Sequence, residues 1–238
     1  MNELKKGNLV INGIGSSNGG SFQDVSLNGK STVNGDVKCE KLESNGIATF
    51  KGNIVSQTVE VNGTATFEGS ISGENITVEG IAKVLKDVAA AKLQVSGSGK
   101  FGGNIQAAEV NLEGRASIAG NCEAEEVRVR GPVKIDGELN AEHIFIEPYG
   151  RSSIREIGGQ RITVKKDATF SNWLKPFLAT LLFADSIEGD DINLEITRAK
   201  VVRGRNVTIG KKCEIDLVEY THRFEKDDSA TVREYRKI

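Results

Sequence analysis

Proline, cysteine, tryptophan and long apolar runs are all scarce in this sequence. Its 238 residues include 3 Pro, 3 Cys and 1 Trp, against 27 Gly. The cysteines, Cys39, Cys122 and Cys213, are odd in number and far apart, so they predict neither a disulfide framework nor a zinc site. No apolar run reaches the roughly 18 residues of a membrane-spanning helix, and no hydrophobic stretch follows the N-terminal residues as in a signal peptide. We therefore expect a cytoplasmic protein.

Charge of one sign and catalytic residue sets are lacking as well. The 31 basic and 33 acidic residues are interspersed and leave a net charge of -2, so no basic field exists to attract nucleic acid. The two histidines, His143 and His222, have no second metal ligand at a known spacing. The sequence therefore predicts no enzyme activity, no cofactor, no metal, no small-molecule substrate and no nucleic-acid partner.

A repeat of 17 residues dominates what is present. Glycine recurs at positions 29, 46, 63, 80, 97, 114 and 131. Apolar residues alternate with polar ones on both sides of each glycine, as in the segment Val59–Ile71, Val-Glu-Val-Asn-Gly-Thr-Ala-Thr-Phe-Glu-Gly-Ser-Ile. Alternation with period 2 is typical of strands with one buried face, and no helical stripe accompanies it.

The corners of the coil can also be located. Because 17 is odd, the alternation must slip once per unit, and it does so at polar pairs such as Glu40-Lys41 and Gln57-Thr58. The other corners are marked by pairs such as Asn45-Gly46 and Gly52-Asn53, which tolerate positive φ. Three corners predict a triangular cross-section. We therefore expect a right-handed parallel β-helix of about 11 to 12 coils of roughly 17 residues.

Three regions are predicted along the chain. Residues 1–24 form an irregular first coil or cap, residues 25–220 form one β-helix, and residues 221–238 form a charged, solvated tail that could alternatively fold back as a latch. The template breaks off after Phe170 and resumes at Ile187, so a helical insertion at 171–186 is expected within the β-helix.

The insertion carries an apolar block. Ser171 and Asn172 are typical helix caps, and Pro176 suits a first turn, but eleven helical residues span only about 17 Å, too short to cross a bilayer. The block could pack on the β-helix flank, on a protein partner or on a membrane. Its members are Trp173, Leu174, Phe177, Leu178, Leu181, Leu182 and Phe183.

The repeat Val-x-Val-x-Gly-x-Ala-x-Phe-x-Gly-x-Ile at Val59–Ile71 resembles that of the bactofilins, bacterial polymer-forming cytoskeletal proteins. The resemblance covers most of the chain, best from 25 to 148. It implies a scaffold that assembles without nucleotide and serves cell shape, motility or envelope organisation, often beside the membrane. The implied partners are further copies of the chain, another bactofilin-like protein or a membrane-associated protein. The coil number and the insertion depart from a compact bactofilin.

The ends of the β-helix are the candidate assembly sites. Terminal coils expose unpaired strand edges, and a non-closing head-to-tail contact between them gives filaments. We expect Leu9 and Ile11 at one edge and Leu217 and Tyr220 at the other. Two alternatives stay open: a transferase of the hexapeptide-repeat kind, which a 17-residue period disfavours, and a β-helical interaction scaffold that does not polymerise.

Overall fold

The computed structural model describes residues 7–165 and 181–238, and all regular structure within them is β-strand. The chain divides into two compact units, Met1–Ala119 and Gly120–Ile238. Each unit is a parallel β-solenoid, and the chain makes about 13 turns in all. The predicted all-β parallel solenoid is therefore confirmed. The range 25–220, which was expected to form one domain, extends over parts of both units.

Fifteen strands belong to the described part of the first unit, residues 7–119, and most of them are four or eight residues long. They are β1 (Leu9–Ile11), β2 (Ile14–Ser17), β3 (Gly20–Ser21), β4 (Asp24–Leu27), β5 (Lys30–Val33), β6 (Val37–Ser44), β7 (Ile47–Phe50), β8 (Ile54–Val61), β9 (Thr64–Phe67), β10 (Ile71–Val78), β11 (Ile81–Val84), β12 (Val88–Val95), β13 (Ser98–Phe101), β14 (Ile105–Leu112) and β15 (Arg115–Ile118).

Seven strands belong to the described part of the second unit, and most are longer. They are β16 (Cys122–Val129), β17 (Val133–Ile146), β18 (Arg151–Val164), β19 (Leu181–Leu194), β20 (Thr197–Ile209), β21 (Glu214–Lys226) and β22 (Thr231–Lys237).

Parallel pairing stacks equivalent residues of successive coils in columns. In the first unit Phe50 pairs with Phe67, 17 positions later, and the two rings stack with centroids 4.8 Å apart and planes 3° from parallel. Burial alternates along strands such as β6 and β8, and in β6 both Glu40 and Lys41 point outward, which is the predicted slip in the alternation. The interior is thus built from apolar columns, and each buried aromatic or aliphatic side chain stabilises the fold by about 1.5–3 kcal/mol.

The glycines at the Asn-Gly corners serve a different purpose from the one expected. Among the described residues, positive φ occurs at Gly19, Gly20, Gly150, Ile196 and Lys212, and not at the corners Asn28-Gly29, Asn45-Gly46 and Asn62-Gly63. A Cβ on Gly63 would lie 2.1 Å from the carbonyl oxygen of Gly46, one coil earlier. These glycines are therefore required because the backbones of successive coils approach closely, and the positive φ that the pairs would tolerate is not adopted there.

Side-chain amides reinforce the same corner. Asn45 Nδ2 donates to Asn28 Oδ1 at 2.9 Å, and Asn62 Nδ2 donates to Asn45 Oδ1 at 2.8 Å. The series begins at Asn12, whose Oδ1 accepts from Asn28 at 2.9 Å. Each amide thus contacts the amide of the coil before it, which holds successive corners in register.

The insertion lies between β18 and β19, and part of its predicted helix is wrong. Ile162 pairs with Ile192, 30 positions later, so the extra length falls between these strands. Leu181, Leu182 and Phe183 are strand residues that pair with Arg151, Ser152 and Ser153. Leu182 points inward while its neighbours point outward, because main-chain bonds to Gly150 and Ile196 hold the segment extended. Residues 171–180 lie outside the described residues.

The expected solvated tail is corrected too. Residues 221–226 continue β21, and β22 pairs with β21 in parallel from Glu214↔Thr231 to Tyr220↔Lys237. Ala230 is buried, and Arg233 and Arg236 form ion pairs with Asp216 and Glu219 of the preceding strand. The high charge of this segment therefore reflects an outward-facing terminal coil. The latch alternative is closer to this arrangement.

Candidate functional site

The N-terminal edge, defined as β1 to β3, is the first candidate site. Each of these strands pairs on one side only within the described residues: β1 with β4, β2 with β5 and β3 with β6. The other side of each leaves main-chain donors and acceptors available to a further strand. Leu9 and Ile11, the residues predicted here, lie on β1 and are half-buried.

Two further apolar side chains, which the sequence interpretation missed, are more exposed at this edge. Ile14 on β2 is 91% exposed and Val10 on β1 is 55% exposed. Ile14 pairs with Lys30, which is itself one coil before Ile47. Since polar and apolar residues alternate along this outward column from Ile14 to Ile81, sequence periodicity alone gives no sign that Ile14 belongs to a binding surface.

The other predicted edge residues are not at an edge. Leu217 and Tyr220 lie on β21, which β22 covers, and they pair with Glu234 and Lys237. Tyr220 also contacts Phe224, with ring centroids 5.5 Å apart. Within the described residues β22 pairs with β21 alone, so its outer side is a second strand edge, which the prediction of a solvated tail at 221–238 does not include.

The apolar block predicted on the insertion is described only in part. Leu182 belongs to the core, Leu181 is half-buried, and the ring of Phe183 lies under two guanidinium groups, with Arg151 Cζ 4.5 Å and Arg198 Cζ 5.7 Å from its centroid. Trp173, Leu174, Phe177 and Leu178 lie outside the described residues.

An open groove of about 810 Å³ runs along the second unit beside Phe183. Its charged side chains form ion pairs: Lys200 Nζ lies 2.6 Å from Asp185 Oδ1, and Arg198 contacts Glu214 at 2.5 Å. Its acidic and basic groups are balanced, so the lining does not select one class of ligand.

The three cysteines are buried thiols. Burial raises the pKa of Cys122 to about 12 and that of Cys213 to about 11, and it also raises the pKa of Cys39. Cys39 Sγ lies 3.3 Å from Ser56 Oγ inside the first unit. At neutral pH these groups are protonated, and thiols are weak nucleophiles in that form.

The part of the chain that the structure describes holds no group of three or more His, Cys, Asp or Glu side chains placed to bind a metal ion. His222 Nδ1 lies 2.8 Å from Asn206 Oδ1, on the outside of the coil. Residues 7–165 and 181–238 contain no helix that is long and apolar enough to cross a membrane.

Comparison with known proteins finds two relatives in Bacillus subtilis (strain 168). The chain is 44% identical over 87 residues to "Uncharacterized protein YhbF". The matched segment is 37% of this chain and 35% of that protein. It is 39% identical over 89 residues to "Uncharacterized protein YhbE", covering 37% of this chain and 38% of that protein. The chain thus spans about a third of the length of the curated relatives it matches. No family model and no solved structure matches it.

Proposed function

We propose that this protein is a structural scaffold that assembles end to end through the termini of its solenoid, without nucleotide. The observation that carries the proposal is the N-terminal edge, where strands paired on one side only meet the exposed side chains of Val10 and Ile14. An unpaired strand edge with apolar residues is a template for another strand.

The energetics favour occupation of that edge. Covering an exposed Val or Ile side chain contributes about 1.5–3 kcal/mol, and strand addition satisfies the main-chain groups at the same time. A contact between unlike ends does not close on itself, so repetition of it produces a filament.

The finer features of the proposal follow the resemblance to bactofilins. They are right-handed winding, a triangular section, coils of roughly 17 residues, and a role in cell shape, motility or envelope organisation. The proposed partners are further copies of the chain, another bactofilin-like protein or a membrane-associated protein. The proposed place is the cytoplasm or the inner face of the membrane, and the proposed role is structural, not catalytic.

The test is electron microscopy and sedimentation of the purified chain without nucleotide, comparing Ile14→Lys with Ile81→Lys. Both residues belong to one outward column, which already contains a lysine at position 30. Ile81 is 54% exposed but lies on β11, which pairs on both sides. The two exchanges therefore place the same charge on the same kind of site, once at the edge and once inside the solenoid.

We expect filaments from the unaltered chain and from Ile81→Lys, and short or absent filaments from folded Ile14→Lys. Circular dichroism checks that both variants retain β-structure. Loss of filaments in Ile81→Lys alone would replace end contacts with lateral association. A chain that stays monomeric at all concentrations would contradict self-assembly.

A further inference from the structure

The outer side of β22 is a strand edge with a distinct charge pattern. β22 pairs in parallel with β21 only, as far as the described residues extend. In a parallel ladder alternate residues direct their N–H and C=O groups to opposite sides, so about half of the main-chain groups of β22 face outward. Its seven residues, Thr231–Lys237, include three basic side chains and one acidic side chain.

Two columns of alternating charge run across the second unit and end on this strand. The first passes from Glu188 through Arg203 and Glu219 to Arg236. Arg203 lies between two carboxylates, with Nη1 3.2 Å from Glu188 Oε2 and Nε 2.7 Å from Glu219 Oε2. Arg236 Nε donates to Glu219 Oε1 at 2.9 Å.

The second column repeats this order with other residues. Lys200 Nζ lies 2.6 Å from Asp185 Oδ1, and Arg233 Nη1 lies 3.0 Å from Asp216 Oδ1. Asp216 also acts electrostatically on Lys200, so Lys200 has an acidic neighbour on each side. Both columns therefore follow the order acidic, basic, acidic, basic, and both end on an arginine of β22.

Before the last strand, each basic residue of these columns, Arg203 or Lys200, has a carboxylate in the coil before it and another in the coil after it. Arg233 and Arg236 have the first of these in Asp216 and Glu219. If a further strand were added outside β22 and continued the pattern, it would carry an acidic residue opposite each arginine. These two acidic residues would be three positions apart, like Arg233 and Arg236. Opposite charges directly across a strand pair are stabilising, and like charges are destabilising.

We propose that β22 binds an extended acidic segment of a partner protein by parallel strand addition, with carboxylates three positions apart opposite Arg233 and Arg236. The main chain of β22 supplies affinity through the ladder, and the arginines select the acidic side chains. The inference does not depend on self-assembly, because a chain that stays monomeric presents the same edge.

A second copy of this chain complements β22 less well. Residues 7–23, which include all of the N-terminal edge, β1 to β3, contain no charged side chain. Docking that edge on β22 would cover Arg233 and Arg236 without new carboxylates, which costs desolvation of the charges. In an end-to-end assembly, the acidic segment would therefore compete with the first coil of a further copy for this edge.

The experiment measures fluorescence anisotropy of a labelled eight-residue peptide rich in Thr and Val, with glutamate at its third and sixth positions, titrated with the full chain. The matched peptide has glutamine at both positions. The variant is Arg233→Gln, whose side chain is 76% exposed, and its control is Arg128→Gln on β16, an exposed arginine that is also paired with a carboxylate.

We expect the glutamate peptide to bind, the glutamine peptide to bind about tenfold more weakly, and Arg233→Gln to weaken binding of the glutamate peptide about threefold to fivefold. Arg128→Gln should leave the affinity unchanged. Hydrogen exchange should slow at the outward amides of β22 in the complex, because strand addition satisfies them.

Equal binding of the two peptides, no binding of either, or an equal loss in both arginine variants would overturn the proposal. Vesicles containing phosphatidylglycerol form the last arm. If they bind in a manner that depends on Arg233 while the acidic peptide leaves the β22 amides unprotected, the edge is an anionic-lipid patch and strand addition is wrong. Sedimentation of the chain alone reports self-assembly separately, so the two proposals can fail independently.

Discussion

The close approach of successive coils at the Asn-Gly corner predicts a large difference between two Gly→Ala variants of one column. A Cβ at Gly63 would lie 2.1 Å from Gly46 O and 2.5 Å from Asn45 O. Gly46 O also accepts a hydrogen bond from Thr64 N at 2.8 Å, so it cannot withdraw without loosening the ladder. Gly13 belongs to the same column but has no atom within 4 Å of its Cβ position.

The magnitude follows from opposing effects. Forcing a methyl group against a fixed carbonyl costs about 1–3 kcal/mol, and weakening the ladder hydrogen bond adds about 1 kcal/mol. Restriction of the unfolded chain by alanine offsets about 0.4–1 kcal/mol. We therefore expect Gly63→Ala to lower the free energy of unfolding by about 2 kcal/mol. Gly13→Ala has only the favourable contribution and should raise this free energy by about 0.4–1 kcal/mol.

Urea unfolding followed by circular dichroism measures both variants, and hydrogen exchange locates the effect. Exchange should accelerate in β7 to β9 of Gly63→Ala, since these strands flank the corner. If Gly63→Ala is as stable as Gly13→Ala, the spacing of the coils at the corner adapts freely and steric exclusion of Cβ is the wrong explanation for the glycine column.

Two further predictions concern the interior and the charged columns. In urea titrations, Phe67→Ala should lower the free energy of unfolding by about 3–5 kcal/mol, because Phe67 is 1% exposed and stacked on Phe50. The control is Thr66→Ala, an exchange of an outward side chain, which should change this free energy by less than about 0.5 kcal/mol. Hydrogen bonds from Arg236 and Arg203 lower the pKa of Glu219 below its ordinary 4.5, so its stabilising effect is complete above that value and is lost as pH falls through the folded-state pKa. Lowering the pH below about 5 should therefore reduce the midpoint of thermal unfolding more steeply in the unaltered chain than in Glu219→Gln. An equal dependence of the midpoint on pH in the two proteins would contradict this role of Glu219.

The parallel solenoid was predictable from the sequence because two periodicities agree. The alternation around Phe50 and Phe67 defines inward positions, and the 17-residue recurrence places those positions in one column. The outward pair Glu40 and Lys41 was predictable for the same reason, since an odd repeat requires one slip per coil. Repetition supplied the long-range pairing that a single strand pattern cannot give.

The role of Gly46 and Gly63 was not predictable from local pattern. An Asn-Gly pair is typical of a turn with positive φ, and the same pair also fits a corner where another backbone passes within contact distance. Only the stacked coil shows that the second reason applies, because the obstructing atom of Gly63 belongs to a residue 17 positions earlier.

The segments assigned wrongly were those without a regular repeat. A run such as Leu181–Phe183 suits a helix or a buried strand, and its pairing with Arg151–Ser153 decides between them. The strand Thr231–Lys237 carries dense charge, which is typical of tails, yet its arginines complete columns whose successive members are 15 to 17 positions apart. Comparing Glu188, Arg203, Glu219 and Arg236 at those spacings would have revealed the column.

Different forces would govern association at the N-terminal edge and at β22, so we expect different partners to bind there. At the N-terminal edge the exposed groups are apolar, and association there gains from the removal of Val10 and Ile14 from water, a contribution that salt does not screen. At β22 the exposed groups are arginines that already neutralise Asp216 and Glu219, and further association depends on carboxylates whose attraction weakens with ionic strength. In a head-to-tail filament the N-terminal edge of one copy would cover β22 of the next copy, so an acidic segment bound at β22 would block growth there, and higher salt would weaken that block without weakening the apolar contact.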